Sequence, residues 1–166
     1  MMPAVVRFRL DPAAVTALTA LRERLAAAGV PAASGTPHVT VAAAGTLGRP
    51  ARDALAAELR TVALPALWLA TLGSVTGDDD ALVLAAVTDP EVLAVHTAVH
   101  DALAGRVREA HAAHLPGSWL PHVVLAAGRP AEAFRLLHPA APVRARIVAV
   151  ELHDTRTGET AVLAEA

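Results

Sequence analysis

Hydrophobic and polar positions along the chain follow two periods, one typical of short strands and one typical of helices. After the Asp11-Pro12 pair, apolar residues recur at helical spacing as far as Ala28, and Gly29 ends the pattern. A proline at the first helical position and a glycine beyond the last one are typical of helix ends. The pattern predicts, in order, strand 5–10, helix 12–28, strand 38–44, helix 50–62, strand 67–72, strand 81–87, helix 90–114, strand 121–127, helix 130–137, strand 144–153 and strand 160–163.

The two halves of the chain repeat this order and share sequence. LDPAAVTAL at Leu10 is similar to TDPEVLAV at Thr88, and PHVTVAAAG at Pro37 is similar to PHVVLAAG at Pro121. The copies are offset by 78 residues at the Asp-Pro pair (11 to 89) and by 84 at the Pro-His pair (37 to 121), so the second copy carries an insertion. Repetition with matching element order predicts two equivalent lobes that face each other. We therefore expect one bilobal α+β domain over 1–166, built from β-α-β-α-β repeats at roughly 4–74 and 81–155 with strand exchange allowed between lobes.

The residue inventory excludes several chemistries. The 166 residues are 54% hydrophobic and 18% charged, which is typical of a folded domain, and they include no Cys, Lys, Tyr, Asn or Gln. Without Cys there is no thiol nucleophile or disulfide, and without Lys there is no Schiff base or Walker phosphate loop. The net charge of −2 argues against binding to a long nucleic-acid duplex.

The N-terminus and the longest apolar stretch bear on location. Arg7 and Arg9 interrupt the first ten residues, where a signal peptide would need an apolar segment. The stretch 62–72 contains Pro65 and is shorter than the roughly 18 residues of a membrane span. We expect a soluble, cytoplasmic protein that does not bind membranes.

One histidine in each repeat lies near the start of a predicted strand. Because side chains alternate between the faces of a strand, His38 and Thr40 point the same way, as do His122 and Val124. A lone histidine on an apolar strand is more often structural than catalytic. Its presence at matching positions of both repeats favours a functional site, since burying an imidazole costs free energy unless the ring is hydrogen-bonded.

Two imidazoles on opposite walls of a cleft suit phosphodiester chemistry. One ring accepts a proton from the attacking oxygen and the other donates one to the leaving oxygen, and the pKa of imidazole lies near neutral pH. Hydroxyl groups or arginines directed at the non-bridging oxygens would stabilise the developing charge. This scheme requires no metal ion and no cofactor, and we expect neither.

These motifs resemble those of the two-histidine (2H) phosphoesterase superfamily, and within it the bacterial 2'-5' RNA ligase and RNA 2',3'-cyclic phosphodiesterase family. The similarity runs from VVRFRLD through TPHVTV and WLPHVVLA to the last strand pair. The resemblance implies two mainly antiparallel sheets facing a central, positively lined cleft. It also implies hydrolysis of 2',3'-cyclic phosphates on RNA ends or small nucleotides, or 2'-5' joining of RNA ends. It makes His38, Thr40 and His122 site residues, the histidines acting as acid and base and Thr40 holding phosphate.

The sequence departs from the family pattern at Val124, where Ser or Thr is expected. Valine is nearly isosteric with threonine, so the strand is kept while one hydrogen-bond donor to phosphate is lost. This fits a weakened or re-specialised enzyme. The alternative is a non-catalytic module that binds a nucleotide or an RNA end, in which Val124 marks decay of the second motif.

Five further residues are candidates for the site. Arg7 and Arg9 alternate with apolar residues and project from one face of the first strand, where they bind phosphate if that face lines the cleft and are surface residues otherwise. Arg144 and Arg146 alternate in the same way. Trp119 is close in sequence to the second histidine motif and is a candidate for the substrate pocket, with core packing as the alternative.

Two remaining clusters favour ordinary structural roles. His96 and His100 are four residues apart on a predicted helix, a spacing that can chelate a metal, but position 97 is Thr rather than Glu and no third ligand is evident. We expect a solvent-exposed helical face there. The acidic run at 77–80 is interpreted as a solvated turn between strands.

Overall fold

The computed structural model describes residues 3–75 and 80–166, so residues 77–79 of the acidic run lie outside the described part. The described residues form seven strands and four helices in the predicted order. These elements are β1 (Ala4–Leu10), α1 (Pro12–Ala27), β2 (His38–Ala44), α2 (Arg49–Leu59), β3 (Ala66–Val75), β4 (Ala81–Ala86), α3 (Pro90–Leu103), β5 (His122–Ala126), α4 (Pro130–Leu137), β6 (Val143–Asp154) and β7 (Thr160–Glu165).

Helix starts are encoded locally and repeat between the halves. Each of the four helices has a proline in its first turn. Asp11 and Asp89 are the N-caps of α1 and α3, and their side chains accept hydrogen bonds from the backbone amides of Ala14 (3.2 Å) and Val92 (2.9 Å). Such caps satisfy amides that have no partner within the helix. The Asp-Pro pairs of the two repeats therefore have the same structural role.

The prediction of a helix from 90 to 114 is wrong in its second half. Helix α3 ends at Leu103, and Gly105 has a φ of +69°, a left-handed conformation that glycine adopts without strain. The chain then runs along the edge of β2, where Arg108 forms an isolated bridge with Thr46, and the amide of His111 donates to the carbonyl oxygen of Ala43. The insertion in the second repeat is therefore an edge-covering segment, with one short 3-10 turn at Ala112–His114.

All strand pairs are antiparallel. The strand order is β2-β1-β6-β3-β4-β5, and β7 also pairs with β6, as predicted for the last two strands. Strand β6 is shared, because its start at Val143–Arg146 pairs with β3 and its later residues pair with β1 and β7. The lobe that holds β1 and β2 thus takes β6 from the second repeat, and the lobe that holds β4 and β5 takes β3 from the first.

One face of this sheet packs on the helices. Buried aliphatic and aromatic side chains alternate with less buried ones along most strands, as in β1, where Phe8 is fully buried and its neighbours Arg7 and Arg9 are half-buried. Helix α1 contacts β5 and β6, whereas α3 contacts β2. Burial of these apolar groups is the main favourable contribution to folding. The combination of four helices with an antiparallel sheet confirms the predicted fold class.

Candidate active site

His38 and His122 are the first residues of β2 and β5, and these two strands contact each other. Both histidines are half-buried and are followed by the fully buried Val39 and Val123, which point into the core. Both imidazoles therefore lie on the sheet face opposite the helices. The two histidines, which match in the sequence repeat, therefore also occupy the same position on their strands.

Each imidazole makes the same hydrogen bond to its own chain. His38 Nδ1 is 2.9 Å from the carbonyl oxygen of Thr36, and His122 Nδ1 is 2.7 Å from that of Leu120. A carbonyl oxygen can only accept, so Nδ1 carries the proton and donates it in both rings. In the neutral rings Nε2 is consequently the nitrogen that can accept a proton.

Burial is the largest influence on both rings and lowers the pKa of each imidazole below its ordinary value. The hydrogen bonds to the carbonyl oxygens of Thr36 and Leu120 partly offset this effect. The positive charges of Arg7 and Arg22 lower the pKa of His38 further. Both free rings are therefore mainly neutral at pH 7.

The residues two positions after the histidines differ in chemistry. Thr40 and Val124 are both half-buried on the same strand faces as the histidines. Thr40 pairs with Arg7 of β1, and Val124 pairs with Val83 of β4. The first motif thus has a hydroxyl group and a guanidinium nearby, while the matching place in the second motif is apolar.

Helix α1 ties the two histidine strands together through Arg22, which is 7% exposed. Its Nη1 donates to the carbonyl oxygen of Gly35 (2.7 Å), and its Nε and Nη2 donate to that of Val124 (3.1 and 2.7 Å). The loop before β2 also pairs with the end of β5 through a bridge between Ala32 and Ala126. One guanidinium and a short stretch of backbone pairing therefore hold the two motifs in a fixed relation.

Trp119 packs inside the molecule and is 9% exposed. Its ring stacks on His96 at a centroid distance of 4.1 Å and meets Phe8 edge-on at 6.4 Å. Its Nε1 donates to the carbonyl oxygen of Thr40 at 2.8 Å. Of the two roles considered from the sequence, this geometry corresponds to core packing, and the contribution of Trp119 to the site is to position the backbone of Thr40.

Arg7 and Arg9 share one nearly buried carboxylate. Glu151 is 5% exposed, and its two oxygens accept from Arg7 Nε (3.2 Å) and Arg9 Nη1 (3.1 Å). Arg9 also pairs with Glu165 at 3.3 Å. In the pairing of β1 with β2, Arg9 lies opposite His38. Both arginines thus lie on the histidine face, and Glu151 fixes their orientation while leaving other N–H groups of each guanidinium available.

The expectation of a solvent-exposed helical face at His96 and His100 is wrong for His96. His96 is 2% exposed, and its Nε2 is 2.8 Å from the carbonyl oxygen of His114. His100 is half-buried, with Nε2 3.2 Å from the carbonyl oxygen of Val41. The face is buried because α3 packs on β2. Within residues 3–75 and 80–166, no group of three or more His, Asp or Glu side chains could hold a metal ion.

A cavity of about 340 Å³ lies away from the histidine face, between the end of β2, the end of α3 and the segment that follows it. Its lining is mostly alanine and leucine, and none of the site residues predicted from the sequence contributes to it. This cavity is therefore separate from the arrangement around the two histidines.

Arg22 and Glu151 contact candidate site residues, and the sequence analysis did not single them out. Glu151 alternates with the buried Val150 and Leu152, so period two in the sixth strand was an available signal for its orientation. Arg22 and His100 are 78 residues apart, which is the offset between the two Asp-Pro pairs, so they occupy equivalent positions in the two repeats. Each side chain binds a backbone carbonyl oxygen on the histidine strand of the other repeat, Arg22 on β5 and His100 on β2. Nothing in the sequence indicated those partners.

Two repeats that place equivalent histidines on contacting strands, with each Nε2 available, define a duplicated two-histidine α/β protein. A family model described as the 2'-5' RNA ligase superfamily matches residues 10–159. The chain therefore belongs to the 2'-5' RNA ligase superfamily, as its resemblance to the 2H phosphoesterases implied; the narrower bacterial family is not established by this match. No curated protein matches the chain significantly.

In the part of the chain that the structure describes, no helix has the length and apolar character needed to cross a membrane.

Proposed function

We propose that this protein is a phosphoesterase that hydrolyses 2',3'-cyclic phosphates on RNA ends or small nucleotides without a metal ion. His38 and His122 are its acid–base pair. The observation that carries the proposal is the repeated hydrogen bond from Nδ1 to the carbonyl oxygen two residues earlier, which leaves both Nε2 atoms available. Superfamily membership supports phosphoester chemistry of this general kind.

In the proposed reaction a neutral imidazole removes a proton from water as the water oxygen bonds to phosphorus. The other imidazole, protonated at Nε2, donates its proton to the ribose oxygen as the bond from that oxygen to phosphorus breaks. The net change is addition of one water molecule. Joining of RNA ends through a 2'-5' linkage uses the same two proton transfers, with the 5'-hydroxyl of a second RNA end attacking phosphorus in place of water and the ribose 3'-oxygen leaving.

Thr40, Arg7 and Arg9 are proposed to bind the phosphate. The hydroxyl of Thr40 donates to a non-bridging oxygen, and the guanidinium groups held by Glu151 compensate the charge that develops there. Val124 approaches the phosphate without a donor, so stabilisation is weaker on the His122 side.

The test is the pH profile of 2',3'-cyclic AMP hydrolysis in the wild type and in His38→Ala and His122→Ala. A bell-shaped profile that is lost in both variants is expected, because each ring is needed in one protonation state. His138→Ala removes a histidine that stacks on Phe134 of α4 and serves as the matched control.

The second candidate function is a non-catalytic module that binds a nucleotide or an RNA end, and it is favoured by the missing hydroxyl at Val124. If the wild type binds adenosine 2',3'-cyclic phosphate but turns over neither this compound nor a 2'-5' dinucleotide, the enzyme proposal is overturned in favour of this module.

A further inference from the structure

An exposed tryptophan lies on the same sheet face as His122. Trp68 is 45% exposed, whereas its neighbours Leu67 and Leu69 are buried in the core. Exposed Trp on a strand surface is unusual for a residue with so much apolar area. Trp68 is the only indole on that surface, because the second tryptophan of the chain, Trp119, is 9% exposed.

Trp68 belongs to a straight row of side chains across four neighbouring segments. It pairs with Arg144 of β6, and its carbonyl oxygen accepts a hydrogen bond from the amide of Val87 at 2.9 Å. The next segment is the one before β5, where the carbonyl oxygen of Pro121 accepts a hydrogen bond from the amide of Ala86. Because the two segments are antiparallel, Leu120 then lies beside Val87. The Trp68 row thus consists of Arg144, Trp68, Val87 and Leu120.

The members of the Trp68 row are exposed and share the face of His122. Val87 is 51% exposed and Leu120 is 43% exposed, and Leu120 lies two residues before His122. In the strand pairing, His122 lies opposite Ala85, and Ala85 lies opposite Thr71, so the histidine is in the adjacent row. From strand spacings, the Cα atoms of Trp68 and His122 lie roughly 12 Å apart, a distance that one or two nucleotides span.

The charge of this surface complements a nucleic-acid backbone. Arg144 is exposed beside Trp68, and Arg146, also exposed, is two residues further along the same strand face. In the described residues, Arg144 has no carboxylate within ion-pair distance. Arg146 has Asp11 nearby, whose carboxylate accepts from the Arg146 backbone amide at 2.6 Å. An aromatic face next to arginines is the combination that binds single-stranded nucleic acid by base stacking and phosphate contact.

We infer that the Trp68 row binds the single-stranded RNA segment next to the reacting end, with a base stacked on Trp68 and its phosphate on Arg144. The inference rests on the proposed function, because it extends the substrate from a mononucleotide to an RNA chain whose end reaches the two histidines. We expect no preference among the four bases at this position, because every base has a face that can stack on an indole.

The binding test uses oligoriboadenylates of one, two, four and six nucleotides that end in a 3'-phosphate, with tryptophan emission as the readout. Quenching with a Kd that falls as the chain lengthens from one to four nucleotides is expected. Trp68→Ala is expected to weaken binding of the tetranucleotide about 10-fold or more and to remove the quenching, and Trp68→Phe to weaken it less. Arg144→Ala is expected to lower the slope of log Kd against log salt by about 0.7.

Phe134→Ala and Arg60→Ala are the matched controls, since both residues are exposed on helical surfaces outside the Trp68 row. Equal affinity for mono- and tetranucleotides, unchanged affinity in Trp68→Ala, or equally tight binding of a duplex of the same length would overturn the inference. Hydrolysis of 2',3'-cyclic AMP is measured in parallel. If the protein hydrolyses 2',3'-cyclic AMP but its affinity does not depend on oligonucleotide length, only the inference about the Trp68 row is rejected. If its affinity depends on length but it does not hydrolyse 2',3'-cyclic AMP, only the proposed function is rejected.

Discussion

At the scale of single residues, we expect the difference between Thr40 and Val124 to decide how well each half of the proposed site can hold an anion. The two side chains occupy equivalent positions after His38 and His122 and have nearly the same shape. Only the first can donate a hydrogen bond. The backbone carbonyl of Val124 is already fixed by Arg22, so a change of side chain there leaves the strand in place.

Val124→Thr is expected to raise kcat/KM for a 2',3'-cyclic nucleotide by about 10- to 100-fold, because a hydrogen bond to a charged oxygen is worth about 1.5 to 3 kcal/mol. Thr40→Val is the mirror change and is expected to lower kcat/KM by a similar factor. The measurement is steady-state hydrolysis at the pH optimum of each variant. A Val124→Thr protein no faster than the wild type would show that the second hydroxyl does not reach the phosphate.

The pKa values of the two imidazoles predict where activity is highest. Burial lowers the pKa of both His38 and His122. The base must be neutral and the acid must be protonated, so kcat/KM has its maximum between the two pKa values of the free protein, on the acid side of about 6.5. A bound phosphate stabilises the imidazolium form and raises these pKa values, so the kcat profile is expected to lie at higher pH.

The check is a pair of pH profiles, one for kcat/KM and one for kcat, together with NMR titration of the histidine ring protons in the free protein. A maximum of kcat/KM above pH 7 would contradict the assignment of His38 and His122 as the titrating pair. Arg7→Gln removes a positive charge that lowers the pKa of His38 and is expected to move one limb of the profile to higher pH.

The sequence predicts which side chains share a face of a strand, but it does not predict which distant residues they bind. Period two placed Arg7 and Arg9 on the face away from the core, as the structure has them. Their bonds to Glu151 join residues more than 140 positions apart, and no local pattern contains that information. For the same reason proximity in sequence pointed to Trp119, whereas the exposed indole is Trp68, which pairs with a strand from the other repeat.

At the scale of elements, α1 controls the relation between β2 and β5. Arg22→Met keeps the apolar part of the side chain but removes three hydrogen bonds to the carbonyl oxygens of Gly35 and Val124. Loss of partners for buried acceptors is expected to lower the free energy of unfolding by about 2 to 3 kcal/mol. Because the two motifs are then less firmly held, kcat is expected to fall more than the stability loss explains.

Urea unfolding and steady-state kinetics on Arg22→Met give the two quantities. Arg24→Met is the matched control on the same helix, since Arg24 makes one exposed hydrogen bond, to the carbonyl oxygen of Leu136. Wild-type kcat in a destabilised Arg22→Met would show that Arg22 supports the fold without positioning the motifs.

Element starts were predictable and one element end was not. Asp-Pro and Pro-rich starts predicted all four helices, because caps and prolines act within one turn. The end of α3 depends on pairing of Arg108 and His111 with residues of β2. Gly105, with a φ of +69°, was an available local signal for the end of α3, but the path of the chain after it follows from its pairing with the edge of β2.

At the scale of the whole molecule, the exchange of β3 and β6 joins the two repeats through shared strand pairs. Neither repeat contains all the strands of its own sheet, so separation of the lobes requires β6 to unpair from β1 or from β3. The element order predicted the repeat, but exchange depends on pairing between distant strands.

Acid is expected to destabilise the chain through four histidines, of which His96 is buried and His38, His114 and His122 are half-buried. Burial, followed by the positive charges of nearby histidines, lowers the pKa of His114 to about 4. Burial also lowers the pKa of His38, His96 and His122. The unfolded chain binds protons at these positions near pH 6.5 and the native chain does so only at lower pH. The free energy of unfolding is therefore highest above pH 6.5 and falls as the pH is lowered toward 4. Each histidine that is protonated only in the unfolded chain lowers it by up to about 1.4 kcal/mol for each pH unit.

Urea unfolding at pH 7.0, 6.0, 5.0 and 4.5 measures this loss; carboxylates also titrate at the two lowest pH values, so the histidine contribution is taken from the difference between the wild type and the histidine variants. His114→Gln is expected to show a smaller decrease in unfolding free energy between pH 7.0 and 4.5 than the wild type, because one low-pKa group has been removed. His138→Gln is the matched replacement at an exposed position. A wild-type stability that stays constant over this range would contradict neutral, buried imidazoles in the native state, and with them the protonation states on which the acid–base pair depends.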